Sequence, residues 1–341
     1  MHKSKSIGAF VLAAVLLFGV SVTGTASAVD KVYKGRFSCW QPEGDIRSVY
    51  ATKFADLVRQ KSNGRVEFTM FYSGALYTIA TVIPSVGKGA VEKGLLAGGT
   101  LTSFIDEYAM ESTWYMLTPD QVLDVWEKTD AGKAVTARAD AKLNIKSVGR
   151  ISLGGNAFFS ITSVKTLEDF KGRKVRYLSK TEIPFLKALG MSYVSISTEE
   201  VYQGLQAKMV DGLMTGINAM SSFSWWDFAK FCTHPYNGSR TAVIGLNATW
   251  FNGLPKDLQQ IVLDAGRQIT DDSRKGIMDN EKVLYDRYAK EKGGVIYTLP
   301  KEEIQRVQQA MFKAGAYDEA RKMMGEALWN AAIKVSGARL Q

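Results

Sequence analysis

Arg176 sits in a short apolar run, Val175-Arg176-Tyr177-Leu178, just after the acidic turn of KTLEDFKGRK. On a strand whose faces alternate, such a guanidinium can point at water, or into a cleft where it must meet an anion. Its planar fork holds both oxygens of one carboxylate at once, which an ammonium does not. Cys232 and His234, in CTHP, are the other pair of reactive types. Residues two apart share one face of a strand, so a thiol and a base could meet there. Strand cysteines are more often small buried apolar residues, and that reading is preferred. The pairs Glu199-Glu200, Asp271-Asp272 and Glu302-Glu303 read as helix starts, where acids suit the dipole, rather than as acid–base couples.

The remaining chemistry is thin. There is no G-x-S-x-G elbow, no G-x-G-x-x-G and no phosphate loop; VGKGAVEKG lacks the K-[ST] ending and reads as a frayed helix end. Two cysteines and two histidines, all far apart except at CTHP, make no cluster with metal spacing. No catalytic residue, metal or cofactor is therefore assigned. A polar anchor in an apolar pocket, a binder rather than an enzyme, fits these residues better.

Positioning such an anchor falls to an alternating series of strands and helices. KVYKGRFSCW, RVEFTMFYSGAL and LLAGGTL read as strands, separated by a helix over 46–64 and a short helix interrupted near Pro84. This β-α-β-α-β order predicts a largely parallel sheet. Residues 119–143 read as two helices. IKSVGRISL, AFFSIT, KVRYL, MSYVSIS, LMTGINA, AKFCTHPYN and RTAVIGLNATWF read as separate strands. A helix follows KVRYL, and another begins at Thr198 as N-cap. From Pro255 onward the chain reads mostly as helix, with Trp329 and Ile333 on an apolar face. The fold class is α/β, with two discontinuous lobes and a cleft between them. One lobe is expected over 29–152 and about 240–260, the other over about 153–239, with C-terminal helices from 261 packing across both. Ligands in such folds sit at the carboxyl ends of strands.

The N-terminus addresses compartment. His2, Lys3 and Lys5 precede an apolar run from Ile7 to Val22, and Ala26 to Ala28 offers the small residues of a cleavage site. A soluble exported chain starting near Val29 is expected. The net charge of +9 becomes +7 once Lys3 and Lys5 leave with the leader. The charge is scattered, and no basic block suggests nucleic acid. Export permits a disulfide between Cys39 and Cys232, but their positions do not show that they meet.

Two blocks carry a family pattern. KTLEDFKGRKVRYLSK, then ALGMSYVSISTEEVYQGLQAKMVDG, together span about 48 residues and resemble the DctP-type solute-binding proteins of TRAP transporters. GRVEFTMFYSGAL and WFNGLPKDLQQIVLDAGRQ agree more weakly. The resemblance implies an extracytoplasmic receptor of two α/β lobes that closes on an organic acid and delivers it to membrane permease subunits. It also implies that Arg176 clamps the carboxylate. Where many members carry a second arginine this chain has Asn156, and Arg150, six residues back, is set aside as a poor substitute. Where members often carry asparagine after the D-G, this chain has Thr215, with Asn218 further on. A missing cation favours a monocarboxylate over a C4-dicarboxylate, because a second buried anion would go unmatched.

Aromatic residues near the expected site loops suggest the rest of the ligand. Trp40, Tyr72, Phe158, Phe223 and Trp225 are candidates to line the cleft, two or three of them together, and flat rings give large contact at small entropy cost. Tyr177 must face away from Arg176. The expected ligand is an aromatic or bulky apolar 2-oxo, 2-hydroxy or amino acid. Alternatives are a branched 2-oxo acid, a C4-dicarboxylate, or a periplasmic enzyme using Cys232. A receptor of the ABC type and a sensor subunit also share the two-lobe logic. The chain is expected to be a monomer.

Overall fold

Strand β1 (Tyr33–Ser38) leads through a loop into helix α1 (Ile46–Lys61), which Asp45 caps by accepting from the Arg47 N–H at 2.8 Å. The computed structural model describes residues 31–337. Strand β2 (Val66–Phe71) and, after α2 (Val82–Gly87), strand β3 (Lys93–Ala97) both pair parallel with β1. Pro84 lies in the first turn of α2, where its missing N–H costs nothing, so the expected interruption does not occur. The short α3 (Gly98–Leu101) follows directly. Residues 119–143 form two helices, α4 (Pro119–Lys128) and α5 (Asp130–Leu143), with Thr118 and Thr129 as side-chain caps.

Strand β4 (Ile145–Ser160) is a single strand where two were expected. It is followed by β5 (Lys174–Tyr177), α6 (Ile183–Ala188), β6 (Ser192–Ser195), α7 (Val201–Gln206), β7 (Gly212–Thr215) and α8 (Ile217–Ser222). Two local expectations shift here. Ser197, not Thr198, makes the capping box with Glu200. And LMTGINA is strand only to Thr215, since Gly216 begins α8. A Cβ on Gly216 would lie 3.2 Å from the Leu153 carbonyl oxygen, a tight contact, so glycine eases the close pass of the turn over β4.

Strand β8 (Phe231–Asn247) again joins two expected pieces into one. It runs antiparallel to β4, with register shifts at Ser147/Gly149, Ser152/Gly155 and Asn156/Phe158. The bulges bend the pair, and each end of it collects its own neighbours. One end carries β3, β1 and β2; the other carries β7, β5 and β6, all parallel to one another. The result is an α/β fold on one mixed sheet, ordered β2-β1-β3-β8-β4-β7-β5-β6. After α9 (Ala248–Asn252), helix α10 (Lys256–Glu291) runs along β4, and β9 (Val295–Thr298) pairs with the start of β8. Helices α11 (Lys301–Lys313), α12 (Ala316–Met324) and α13 (Glu326–Ser336) complete the described chain. Trp329 is buried and Ile333 packs at the core's edge, as their spacing predicts. Asp271 and Asp272 sit exposed in the middle of α10, not at a helix start.

The largest apolar cluster joins both wings of the sheet, with Leu96 of β3 and Val175 of β5 in it, and a smaller cluster lies beside each wing. Phe37, Phe54, Leu95, Ile151 and Val262 pack at one, and Phe159, Leu213, Trp226 and Tyr288 at the other. Cys39 belongs to the first and Cys232 to the second, and both are buried free thiols.

Candidate functional site

The strand ends converge on one cavity. Arg176 lies on β5, between Val194 of β6 and Leu213 of β7 in register. Both Val175 and Arg176 are buried, so this strand is covered on both faces and its guanidinium cannot escape to water. Arg176 Nε donates to the Ile196 carbonyl at 3.1 Å and Nη2 to Thr198 Oγ1 at 3.2 Å. Both acceptors are neutral. Burial pushes this guanidinium down to about 10; Glu182 pulls the other way, and Arg240 adds to the depression. A charge so held is undercompensated, and an arriving anion relieves it.

The cavity that Arg176 lines holds about 510 Å³ of empty space, part of it open to solvent. Thr198 and Thr215 stand at the carboxyl ends of β6 and β7, and Asn156 at the third register shift of β4. From the other wing come Trp40 after β1, Ala97 at the end of β3, Ile79, and Arg47 in the first turn of α1. Leu153, Leu178, Ala219, Phe223 and Trp225 give apolar walls, with the last two rings stacked at 5.1 Å between centroids.

Two more guanidiniums share this space, each with its own carboxylate. Arg47 Nε donates to Asp45 Oδ1 at 2.7 Å, and its guanidinium lies 5.4 Å from the centre of the Trp40 ring. Arg240, on β8, forms an ion pair with buried Glu182. Asp45 also accepts from Ser222 Oγ at 2.6 Å. Burial would raise the Asp45 carboxyl, but the Arg47 charge and the hydrogen bonds from Arg47 and Ser222 outweigh it, leaving it below the usual range.

Of the residues expected from sequence, Arg176, Asn156, Thr215, Trp40, Phe223 and Trp225 come together here. Three do not. Tyr72 shares a hydrogen bond with Thr52 at 2.7 Å and packs on the core of the first wing. Phe158 is fully buried against Phe170, because the bulge after Asn156 turns it into the core. Asn218 donates to Glu281 at 3.3 Å and accepts from Asn280 at 2.7 Å, so its amide is taken up by α10. Tyr177 packs on Tyr193, away from Arg176, as alternation demands. Arg150, set aside as a poor substitute, is buried beside Trp126 and Glu127 in a different place.

Sequence reasoning missed Arg240, Arg47 and Thr198. Arg240 had a visible signal: like Arg176 it is a guanidinium inside a strand of apolar residues, in RTAVIGL. Arg47 had none, since D-I-R reads as an ordinary cap and first turn.

The thiols do not suit catalysis. Burial pushes Cys39 up to about 12 and Cys232 further up, away from the thiolate a nucleophile needs. Among the described residues no group of three or more metal-ligating side chains occurs, and no helix is long and apolar enough to cross a membrane.

Comparison with known proteins agrees with this geometry. Residues 37–321 match the model for the bacterial extracellular solute-binding proteins, family 7, named DctP. The chain is 25% identical over 291 residues to the C4-dicarboxylate-binding periplasmic protein DctP of Rhodobacter capsulatus, covering 83% of this chain and 85% of that one. It is 22% identical over 278 residues to the 2,3-diketo-L-gulonate-binding periplasmic protein YiaO of Escherichia coli, covering 80% and 83%. In fold it is similar to a TRAP periplasmic solute binding protein of Desulfovibrio salexigens crystallised with orotic acid. That likeness has a TM-score of 0.82 at 20% identity and covers 89% of this chain and 99% of that one. Since the family match runs from β1 to α12, through every strand end that meets at the cavity, the chain belongs to family 7 of the bacterial extracellular solute-binding proteins.

Proposed function

We propose that this chain is the extracytoplasmic receptor of a TRAP-type transporter, taking up an organic acid by its carboxylate and presenting it to membrane permease subunits. One observation carries the reading: Arg176 is buried in the cavity with only neutral hydrogen-bond acceptors. A fork of this kind without a counter-ion fits a bidentate carboxylate. The relatives' names supply a parallel, since a C4-dicarboxylate, 2,3-diketo-L-gulonate and orotic acid are all carboxylic acids.

For the ligand's body, the stacked Phe223 and Trp225, with Trp40, Leu153 and Leu178, favour an aromatic or bulky apolar monocarboxylate with a 2-oxo, 2-hydroxy or amino group. Asn156, where a second cation could stand, favours one carboxylate over two. The lobes of this reading are 29–152 with about 240–260, and about 153–239. The slips in register between β4 and β8 make a hinge at their boundary, and closure removes water from the ligand. The receptor acts as a monomer outside the cytoplasm, released by cleavage after Ala28.

A thermal-shift screen against a library of organic acids tests the reading, because a ligand that binds only the folded state raises the melting point. Arg176→Ala should weaken the best hit by at least about tenfold, as expected on removing a charge-assisted pair. Unchanged affinity in calorimetric titration would contradict it.

A further inference from the structure

Two residues that line the cavity carry buried donors that the receptor reading leaves unexplained. Trp40 Nε1 and Arg240 Nε are both buried, both residues line the cavity, and neither atom has a hydrogen-bond partner. An N–H kept from water without an acceptor is costly, and such groups are rare in folded proteins. Neither is a loose surface group. Trp40 is 7% exposed and has Arg47 over its ring, and Arg240 is 6% exposed and paired to Glu182 through Nη2. The positions are therefore held in advance, and Nε is the part of Arg240 that Glu182 leaves unused.

Charge bookkeeping narrows what can satisfy them. Arg47, Arg176 and Arg240 bring three positive charges to the cavity, and Asp45 and Glu182 bring two negative charges to Arg47 and Arg240. Glu199, whose charge also reaches Arg176, is exposed to solvent. One positive charge remains, on Arg176. A second carboxylate on the ligand would be an anion buried without its own cation. An ammonium would enter among three guanidiniums whose carboxylates are already engaged. Glu182 Oε2 lacks a donor, but Glu182 does not line the cavity. The partner to which the two N–H groups can donate without charge penalty is a neutral oxygen.

We infer that the cavity is built for a singly charged carboxylate carrying a second, uncharged oxygen, an oxo or hydroxyl group, for which Trp40 Nε1 and Arg240 Nε are the donors. The inference rests on the receptor reading. Within that reading it selects oxo and hydroxy acids over amino acids, dicarboxylates and plain apolar acids.

The test is calorimetric titration of the full folded protein with acids paired to differ by one oxygen. The pairs are phenylpyruvate with 3-phenylpropanoate, 4-methyl-2-oxopentanoate with 4-methylpentanoate, and 4-hydroxybenzoate with benzoate, alongside succinate and phenylalanine. In any pair that binds, the oxygenated member should bind about tenfold or more tightly, and tighter than succinate or phenylalanine. Trp40→Phe keeps the ring and removes the donor; Arg240→Lys keeps the charge beside Glu182 and removes Nε–H. In at least one of these variants the preference should fall to about threefold or less, as expected for loss of one buried hydrogen bond. Variants are compared only where circular dichroism shows the wild-type fold, and Trp40→Phe stands if Arg240→Lys does not fold. Equal binding within the pairs, a preference for succinate or phenylalanine, or a preference untouched in the folded variants would overturn the inference and leave the receptor reading intact. Absence of binding by every acid in the panel would overturn both.

Discussion

Ser222, the last residue of α8, donates to the carboxylate of Asp45, the cap of α1, at 2.6 Å across 177 residues of sequence. Asp45 is at the same time the partner of Arg47, so one buried carboxylate ties the first turn of α1 to the far wing of the sheet. A hydrogen bond to an ionised group is worth more than a neutral one. Ser222→Ala should therefore lower the melting temperature by about 2–5 °C, from about 1–2 kcal/mol of lost bonding. The sign with pH follows from Asp45, whose carboxyl is depressed in the folded state. Its contribution is present above the unfolded value, about 3.9, and fades as pH falls through the lower folded value. Melting curves should show the wild-type advantage steady from neutral pH to about pH 4 and shrinking only below that.

Asn156 stands on the cavity wall with no cation of its own. Asn156→Arg supplies one, and with it a partner for a second carboxylate. Titration with succinate against butanoate should show the dicarboxylate gaining at least about tenfold relative to the monocarboxylate in the variant. A ratio unchanged from wild type would mean that residue 156 does not reach the ligand.

Lys93 is a fully buried amine with its Nζ 3.3 Å from the centre of the Phe54 ring and 3.7 Å from that of Phe37, and no hydrogen-bond partner. Burial holds it well below its usual value, with Cys39 opposing weakly. A lysine depressed on folding binds fewer protons folded than unfolded, so stability rises with pH until the unfolded amine, near 10.4, has also lost its proton. Lys93→Met keeps the length of the side chain and removes this penalty. Urea unfolding should find the variant more stable than wild type at pH 6, by about 1 kcal/mol or more, with the gap closing toward pH 10. A gap that widens with pH would show that Lys93 is folded in its charged form.

Gly266 of α10 and Gly149 of β4 let helix and strand backbones touch. A Cβ on Gly266 would lie 1.8 Å from the Val148 carbonyl oxygen, and one on Gly149 would lie 2.5 Å from the Gly266 carbonyl oxygen. Neither obstacle is a flexible side-chain tip. Gly266→Ala should cost about 3 kcal/mol or more in chemical unfolding, despite alanine's better helix propensity. A neutral or stabilising effect would mean that α10 can lift off β4 freely.

Much of this architecture was legible from local pattern. The parallel start of the sheet and the two helices of 119–143 follow from spacing that each segment carries within itself, while spacing left Arg176 facing water or cleft and only the family resemblance pointed it inward, where it is buried. The family resemblance pointed to Asn156 and Thr215, which line the cavity beside Arg176. What local pattern could not supply was how far a strand continues through a bulge. β4 and β8 read as four strands because glycines and polar residues interrupt the alternation at the points where the pair slips register. That slip decides which side chains enter the cavity: it admits Asn156 and sends Phe158, two residues on, into the core.

The chain's own order of residues thus determined its α/β class and its family blocks, because each is carried by neighbouring positions along the chain. The tertiary structure alone decided that Arg47 and Arg240 join Arg176, that Asp45 and Glu182 offset two of the three charges, and that Trp40 leaves a donor open. Those are sums over residues far apart in sequence, and a charge balance in a low-dielectric cavity has no local signature.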